Sequence, residues 1–543
     1  MKTSFKADTL AQWSLRAEKE LKGASPTDVL NKNNSLDKPQ AAYTTKETKK
    51  GDYPVSYKIT NETHIWEFIP ALNPEQTNKL ALSALNQGAN AIMLHYSGSH
   101  LGTLLNEIHV QFITTGISCS WVDIDRLMQE LDLLCKEREL AKKDISLFIK
   151  FEGFSYEDLE SIAFKLKAIS ADYPKFNFLI DVADIRESGL DLVSCMAVAL
   201  DKGSALLQFD ACLANLIAFS FCVSDDYYVE LCALRCFNHL WLNVQQKHEC
   251  LTPAYILGIS SRFNLSAEDA YNNMLRNCMA ALIAMNGTCN GLMMHPFNGN
   301  NEDPFAVRMS KNLQLILLEE AKLGWVKDPA KGSYYLENLT FEIAELIWES
   351  YQTLNSLTSK NHWIEQNTAS NRQNLKTKVN EGKKVIVGTN KYPATERYHI
   401  ELPPKFRAFA LSEGFELLKH KAKQAQAKRP ILLFSFGNPK MSLARTTFVN
   451  NFLALAGLEG KTINEIEAEN SPSIFNNSIV FLCSADEAYE NVMDQYDFGN
   501  AIVWLAGNPA NSQTLKSRGV TDFVHLKSNI YNTLSEIVKT FTT

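Results

Sequence analysis

The chain has 543 residues, of which 45% are hydrophobic and 21% charged, the balance of a soluble globular protein. This length exceeds one ordinary domain, so we expect two, one of them large. The net charge is only −7 and no long basic block occurs, which argues against nucleic acid as a partner. No apolar leader follows Met1, so we expect no secretory signal and a cytoplasmic location.

Membrane and metal sites are not expected either. The most apolar stretch, Ala205–Val223, is interrupted by polar residues and is too broken for a transmembrane helix. Eleven cysteines are scattered without C-x-x-C or zinc spacing, which favours reduced thiols packed as small hydrophobic residues. His95 and His100 are five positions apart and share neither a helix face nor a strand face. We therefore predict no metal site and no membrane partner.

Residues 1–40 have the composition of an N-terminal arm. Within them Leu10–Leu21 is a short amphipathic segment, followed by polar, Asn- and Lys-rich sequence. A helix this short is marginal alone in water, so it needs a surface to lie on. That surface is either its own barrel or another subunit.

From about residue 64 short apolar runs alternate with amphipathic segments of helical length. Eight strands are predicted at Ile65–Ile69, Ala91–His95, Ile117–Val122, Ile145–Phe151, Phe176–Val182, Ala218–Val223, Ile256–Ser260 and Gly291–His295. Eight strand-then-helix units in about 300 residues predict an α/β fold, a (β/α)8 TIM barrel, which we place at 41–355. In the sixth unit, Ser224 is predicted to cap the next helix, with Asp225 and Asp226 in its first turn.

The stretch from Pro304 to Gln352 predicts two helices joined by a tight turn. Asp303 and Pro304 form a helix start, and Gly324 is predicted to end the helix. Its apolar residues recur at helical spacing and predict burial over most of its circumference: Phe305, Met309, Leu313, Leu315, Ile316, Leu317 and Leu318. The D-P-x-x-G sequence that follows predicts a positive φ at Gly332.

The remaining sequence predicts a linker region at 356–429 and a second domain at 430–543. The linker ends in the basic connector Lys421–Arg429. The second domain resumes a strand-and-helix alternation, which predicts a small doubly wound sheet of the flavodoxin kind. Its strands are predicted at Ile431–Phe436, Thr462–Ile466, Ile479–Cys483, Ala501–Leu505 and Phe523–His525.

Several sequence motifs resemble one known family. Arg308–Ala321 reads R-x-x-x-N-x-Q-L-I-L-x-E-E-A, and Asp328–Thr340 reads D-P-x-x-G-S-Y-Y-x-E-x-L-T. Trp13–Gly23, Val385–Tyr392 and Asp269–Asn273 carry further matches. Together they resemble the methylmalonyl-CoA mutase family, strongly over 176–352 and only in architecture after 425. The resemblance implies an acyl-CoA mutase-like barrel followed by a cobalamin-binding-like domain.

The resemblance also implies where cofactor should bind. The catalytically active members of the family, here called working members, ligate cobalt through the histidine of a D-x-H-x-x-G loop after the first strand of the small domain. Here the corresponding loop, predicted at 437–443, offers Gly437, Asn438, Lys440 and Ser442, and no histidine occurs from 421 to 524. We therefore expect the chain to hold no cofactor, and adenosylcobalamin to be in a partner subunit.

The barrel motifs imply a similar loss. Where working members read S-G-Y-H-x-Q-E-A-G, Asp181–Gly189 has Ala183 for the tyrosine and Arg186 for the pocket glutamine. The family's Glu and Gly are kept as Glu187 and Gly189, whereas Leu257 stands where a substrate-facing histidine is expected. No catalytic residue is therefore assigned.

The resemblance is closest in kind to the small, non-catalytic β subunits of heterodimeric members of the family. It implies a large catalytic subunit as partner, which interconverts (R)-methylmalonyl-CoA and succinyl-CoA with adenosylcobalamin. Two alternatives stay open: a stand-alone acyl-CoA mutase of altered specificity, and an acyl-CoA binding module that uses Arg186. The missing cobalt ligand favours the subunit.

Overall fold

The computed structural model describes residues 9–54, 62–98, 100–153, 156–393, 407–425, 429–471 and 473–541. These residues form two compact units. The first lies within Met1–Arg262, Met274–Ala369 and Lys405–Ala408, and the second within Phe263–Asn273, Ser370–Pro404 and Phe409–Thr543. The second unit therefore includes stretches that the sequence alone assigned to the barrel and to the linker region.

The first unit opens with small elements: α1 Leu10–Glu20, α2 Pro26–Leu30 and the antiparallel pair β1 Lys32–Asn33 and β2 Pro39–Gln40. Thr9 and Gln12 form a capping box that starts α1, so the helix predicted there is confirmed. None of the residues of α1 is buried, and Leu15 is 69% exposed. Trp13 stacks on Tyr43 with ring centroids 5.0 Å apart.

Among the described residues eight parallel strands close a barrel in the order β10-β3-β4-β5-β6-β7-β8-β9. They are β3 His64–Ile69, β4 Ala91–Tyr96, β5 Thr114–Ser120, β6 Ser146–Glu152, β7 Phe176–Asp181, β8 Ile217–Val223, β9 Tyr255–Ser260 and β10 Gly291–Met293. The predicted barrel is confirmed. The largest difference is at β5, which starts three residues before the predicted Ile117 because Thr114 and Thr115 pair with both neighbouring strands.

Helices follow the strands: α3 Pro74–Asn86, α4 Leu101–Leu104, α5 Ile124–Glu137, α6 Leu159–Asp172, α7 Ala183–Glu187, α8 Leu192–Leu207, α9 Tyr227–Gln245, α10 Asn272–Asn286, α11 Pro304–Leu315, α12 Tyr334–Ser356 and α13 Lys360–Asn380, of which α13 continues into the second unit. The main core lies between these helices and the strands. Aromatic side chains also pack on one another, with Phe148 against both Trp66 and Tyr255. The Trp66 indole N–H donates to the Tyr255 hydroxyl at 2.9 Å, which satisfies a buried donor.

The predicted cap of α9 is wrong. The helix begins at Tyr227, so Asp225 and Asp226 precede it rather than fill its first turn. Ser224 instead donates its backbone N–H at 2.6 Å, and its hydroxyl, to the Glu230 carboxylate. A buried carboxylate from the first turn of the helix therefore takes the donors of Ser224 in place of the predicted cap.

The predicted burial of α11 is also wrong, although its start at Asp303 and Pro304 is confirmed. Its buried face includes the polar residues Ser310, Lys311 and Gln314, whereas Phe305 is 55% exposed. The Lys311 ammonium lies 3.4 Å from Glu67 on β3, so an ion pair between helix and strand replaces the expected apolar stripe. A π-helical turn at Ile316–Glu320 ends the segment before Gly324.

The second unit contains a five-stranded sheet among its described residues, with every strand pair parallel and the order β12-β11-β13-β14-β15. The strands are β11 Ile431–Ser435, β12 Lys461–Asn464, β13 Ile479–Cys483, β14 Ile502–Ala506 and β15 Val520–Val524. Its helices are α14 Glu413–Ala425, α15 Pro439–Ala454, α16 Glu465–Asn470, α17 Tyr489–Gln495, α18 Ser512–Ser517 and α19 Ile530–Lys539. The predicted connector Lys421–Arg429 starts inside α14, and its residues 426–428 lie outside the described residues.

Candidate functional site

Charged residues from distant parts of the chain gather at the carboxyl ends of the barrel strands. In a parallel barrel all of these ends open on one mouth, where barrel enzymes place their chemistry. Lys150 lies near the end of β6 and Asp181 is the last residue of β7. Asp184 lies in α7, and Arg262 follows the end of β9 by two residues.

Lys150 is held between two carboxylates. Its ammonium lies 2.8 Å from Asp184 Oδ2 and also contacts Asp181, to which Ser220 donates its hydroxyl. Burial works to lower the pKa of Lys150, but the two carboxylates outweigh it and raise that pKa above its ordinary value. Lys150 is therefore charged and already neutralised by the chain itself.

Arg186 stands where the family resemblance places a pocket glutamine. Its Nη1 donates to the Cys222 carbonyl at 2.8 Å, and its Nη2 lies 2.5 Å from Glu230 Oε1. The Arg186 and Glu230 side chains are only 9% and 2% exposed. Burial raises the pKa of Glu230, while Arg186 and Ser224 work against that rise. The guanidinium is thus engaged inside the protein, between β8 and α9.

Glu187 and Gly189 shape the turn after β7. Glu187 Oε1 accepts the Arg262 backbone N–H at 2.7 Å, and the Cys222 thiol lies 3.1 Å from the same oxygen. Burial raises the pKa of Glu187, which Arg262 partly opposes. Gly189 has a φ of +104°, a conformation that glycine takes most readily. These contacts tie α7 to the segment after β9.

The other two positions singled out in the barrel are buried and apolar. Ala183 starts α7 and donates its backbone N–H to Asp181 Oδ1 at 2.9 Å. Leu257 lies in β9, in register with Ser220 on β8 and Gly291 on β10. Neither side chain carries a polar atom, so neither can hold or move a proton.

Sequence reasoning considered His95 only as a metal ligand, and it missed the other polar groups near it at the barrel mouth. His95 Nδ1 lies 2.8 Å from Glu152 Oε1, to which the Ser118 hydroxyl donates at 2.6 Å. His295 follows β10, and its pKa is lowered to about 3 by burial, with smaller contributions from Arg262 and Lys150. The signal that could have found most of these residues is their common position, a polar side chain at the end of an apolar strand.

The predicted cofactor loop at 437–443 is mostly helix. Gly437, with a φ of +70°, and Asn438 connect β11 to α15. Asn438 Oδ1 accepts the Lys440 backbone N–H at 3.0 Å and so caps the helix, which places Lys440 and Ser442 in its first turn. The prediction of a loop was wrong because Asn followed by Pro is a strong helix start.

Protein side chains also occupy the neighbouring strand ends of the sheet. The Ser484 hydroxyl after β13 donates to the Phe436 carbonyl at 2.7 Å. The Tyr489 hydroxyl contacts the Ala506 carbonyl at 2.6 Å, and Arg445 lies 2.9 Å from Asp486. These contacts join the ends of β11, β13 and β14 directly to one another and to α15 and α17.

Two further findings concern the part of the chain that the structure describes. Within it, no group of three or more His, Cys, Asp or Glu residues is arranged to hold a metal ion. None of its helices has both the length and the apolar character needed to cross a bilayer.

A closed parallel barrel with a charged mouth, in a chain that also carries a parallel five-stranded sheet, defines an α/β protein with the architecture of a barrel enzyme. The family model described as methylmalonyl-CoA mutase matches residues 156–433. The chain belongs to the methylmalonyl-CoA mutase family.

Relatives that carry the name small subunit cover more of the chain than the family model does. The chain is 25% identical over 520 residues to the methylmalonyl-CoA mutase small subunit of Porphyromonas gingivalis, covering 85% of this chain and 84% of that one. It is 25% identical over 459 residues to the small subunit of Propionibacterium freudenreichii subsp. shermanii, covering 76% and 71%. A probable small subunit of Mycobacterium tuberculosis is 26% identical over 408 residues, covering 69% and 64%.

Proposed function

We propose that this chain is the small subunit of a heterodimeric methylmalonyl-CoA mutase, and that it supports a catalytic large subunit. The large subunit would interconvert (R)-methylmalonyl-CoA and succinyl-CoA. The observation that carries the proposal is the burial of Arg186 against Glu230 at the position where working members have a pocket glutamine. The small-subunit names of the relatives support it.

Within the complex the activity is that of an adenosylcobalamin-dependent isomerase, and this chain itself is non-catalytic. When bound, adenosylcobalamin supplies the radical chemistry of the rearrangement. The residues of this chain at the barrel mouth pair with one another: Lys150 with Asp181 and Asp184, and His95 with Glu152. Ala183 and Leu257 offer no group that could bind substrate through hydrogen bonds.

The second unit does not fit adenosylcobalamin. We assign its sheet to the flavodoxin-like class, because the strand order runs 2-1-3-4-5 when the strands are counted from β11. We take 430–543 as a degenerate cobalamin-binding-like domain, 1–40 as an arm, 41–355 as the barrel and 356–429 as a linker region. In the segment that follows β11, the first strand of this domain, Asn438 stands where a cobalt-ligating histidine would be needed. Its amide oxygen already caps α15, and no imidazole lies there. His525, after β15, accepts the Lys527 backbone N–H at 3.2 Å through its Nδ1 atom.

We assign the subunit to the cytoplasm, with neither nucleic acid nor membrane as a partner. All eleven cysteines are free, and eight of them are buried: Cys119, Cys135, Cys195, Cys222, Cys232, Cys236, Cys289 and Cys483. Burial raises the pKa of the Cys236 thiol, so it packs as a neutral group. Unpaired thiols of this kind suit a reducing compartment.

Co-expression with the candidate large subunit tests the proposal, with an affinity tag on this chain alone. We expect the large subunit to co-purify in a 1:1 ratio, and mutase turnover to appear only in the complex. Turnover by this chain alone would instead establish a stand-alone acyl-CoA mutase. Retention of an acyl-CoA ester without turnover or partner would establish a binding module.

A further inference from the structure

Asp184 bridges two cations with its two carboxylate oxygens. Oδ2 lies 2.8 Å from the Lys150 ammonium, and Oδ1 lies 3.4 Å from Arg262 Nη2. This is the arrangement in which proteins hold a carboxylate ligand, with one charged donor to each oxygen. Here the carboxylate belongs to the chain itself.

Asp184 is much more exposed to solvent than the groups that it contacts. Its side chain is 63% exposed, whereas those of Lys150 and Arg262 are 20% and 23% exposed. The cations have further carboxylates on their inner side, Asp181 at 6% and Glu187 at 4% exposure. Asp184 therefore covers the outer side of a cation pair whose inner side is fixed by buried carboxylates.

Lys150 and Arg262 lie on or next to barrel strands, whereas Asp184 lies on a short helix. Lys150 belongs to a seven-residue barrel strand, and Arg262 follows the end of another strand while its backbone N–H is held by Glu187. Asp184 lies in α7, a helix of only five residues. Glu187 also lies on α7, so Lys150 is positioned by its strand and the backbone of Arg262 by Glu187, and neither contact involves the Asp184 side chain.

We propose that the barrel mouth contains a carboxylate-binding site, formed by Lys150 and Arg262, which the chain fills with its own Asp184. The ligand class is a small monocarboxylate of the size of acetate. An external carboxylate competes poorly in the native chain, because Asp184 is tethered beside the cations at high effective concentration. This inference goes beyond the proposed function and does not rest on it.

Chemical rescue tests the site in the full-length chain. Asp184→Ala removes the carboxylate beside the two cations, and because this position is 63% exposed, the carboxylate of acetate can take its place with the methyl group toward solvent. We expect sodium acetate to raise the melting temperature of this variant saturably, by about 2–4 °C above sodium chloride at equal ionic strength. The native chain should show no acetate-specific rise.

A matched control distinguishes this site from a general salt effect. Asp125 is 73% exposed and pairs with the single cation Lys165, so Asp125→Ala should lose an ion pair without gaining acetate rescue. Adding Arg262→Gln to Asp184→Ala should abolish the rescue, because one oxygen then has no charged donor.

If Asp184→Ala does not fold, Asp184→Ser also removes the carboxylate and leaves a small polar side chain. Binding of ¹³C-labelled acetate, followed by saturation-transfer NMR, then replaces the melting temperature as the readout. Equal acetate responses in the Asp184 and Asp125 variants, or no acetate signal in either Asp184 variant, would overturn the proposal. Because the readout needs neither partner nor turnover, either result leaves the subunit assignment to its own test.

Discussion

Arg235 and Glu337 are 102 positions apart and meet in the core of the first unit. Two guanidinium nitrogens each lie 3.3 Å from a different Glu337 oxygen, and both side chains are fully buried. Arg235 also lies 3.0 Å from Asp328, while Glu337 accepts the backbone N–H groups of Gly332 and Tyr53 at 2.9 and 2.7 Å. The first and last residues of the D-P-x-x-G-S-Y-Y-x-E motif, Asp328 and Glu337, thus both pair with one arginine on α9.

Glu337→Gln should destabilise the chain by about 3–5 kcal/mol, because it leaves buried positive charge without one of its partners. Burial would raise the pKa of Glu337, but the Gly332 and Tyr53 N–H groups and Arg235 lower it below its ordinary value of 4.5. A depressed carboxylate pKa contributes stability above pH 4.5 that is lost as the pH falls through the folded value. Urea unfolding of native chain and variant across this window measures both effects.

Glu345→Gln is the matched control for that experiment. Glu345 lies on the same helix, α12, but its side chain is 65% exposed and lies 3.7 Å from Lys50. Its replacement should change the free energy of unfolding by no more than about 1 kcal/mol. Equal effects of the two substitutions would contradict the assigned role of Glu337.

Gly332 should be intolerant of side chains for a conformational reason alone. Its φ is +85°, and a Cβ added there meets nothing within 4 Å. Gly332→Val should therefore lower the melting temperature through backbone strain of about 1–2 kcal/mol, and Gly332→Asn should cost less because Asn tolerates this region. Gly51→Ala serves as the control, since its added Cβ makes only an ordinary contact with Phe341 at 3.6 Å. An unchanged melting temperature for Gly332→Val would contradict the requirement for glycine at this positive φ.

Local sequence signals located the barrel strands and the turn at Gly332 well. Each barrel strand is a short apolar run, and its burial follows from that run without knowledge of its neighbours. The start of α11 at Asp303 and Pro304 was equally readable, because capping involves only adjacent residues. What the sequence could not show is which side of an element meets a charged partner.

The incorrect predictions for α9 and α11 have that origin, whereas the one for 437–443 overlooked a local helix start. Ser224 looked like a cap, but Glu230, six positions later, takes both of its donors. The apolar residues of α11 were expected to form its buried face, but Lys311 is 1% exposed there and pairs with Glu67. Lys150 drew no notice, since the aspartates that surround it at the barrel mouth are more than 30 positions away. Long-range ion pairs leave no periodic trace in the sequence.

Arg186→Gln would restore the residue found in working members, yet it should not create an active site. Without the guanidinium, the buried Glu230 carboxylate loses its charge partner, at a cost of about 3–5 kcal/mol. Adding Glu230→Gln should recover at least about 1 kcal/mol of that loss, which a double-mutant cycle in urea measures. Strict additivity of the two substitutions, or mutase turnover in Arg186→Gln, would contradict this account.

His295 should contribute to the acid sensitivity of the barrel. Burial, followed by Arg262 and Lys150, lowers its pKa from 6.5 to about 3. The unfolded chain therefore binds one more proton than the folded chain between those values, so stability is present above pH 6.5 and falls as the pH decreases. His295→Asn should flatten this decline by up to about 1.4 kcal/mol per pH unit. If the free energy of unfolding falls with pH at the same rate in the native chain and the variant, His295 makes no such contribution.

The central claim is that this chain supports catalysis without holding the cofactor. The direct measurement is to mix adenosylcobalamin with the purified chain, and separately with its complex with the large subunit, and to remove free cofactor by gel filtration. Visible spectra of the protein peaks then report bound cobalamin. We expect none on the isolated chain and one per heterodimer in the complex. A stoichiometric cobalamin spectrum on the isolated chain, above all with mutase turnover, would contradict the account.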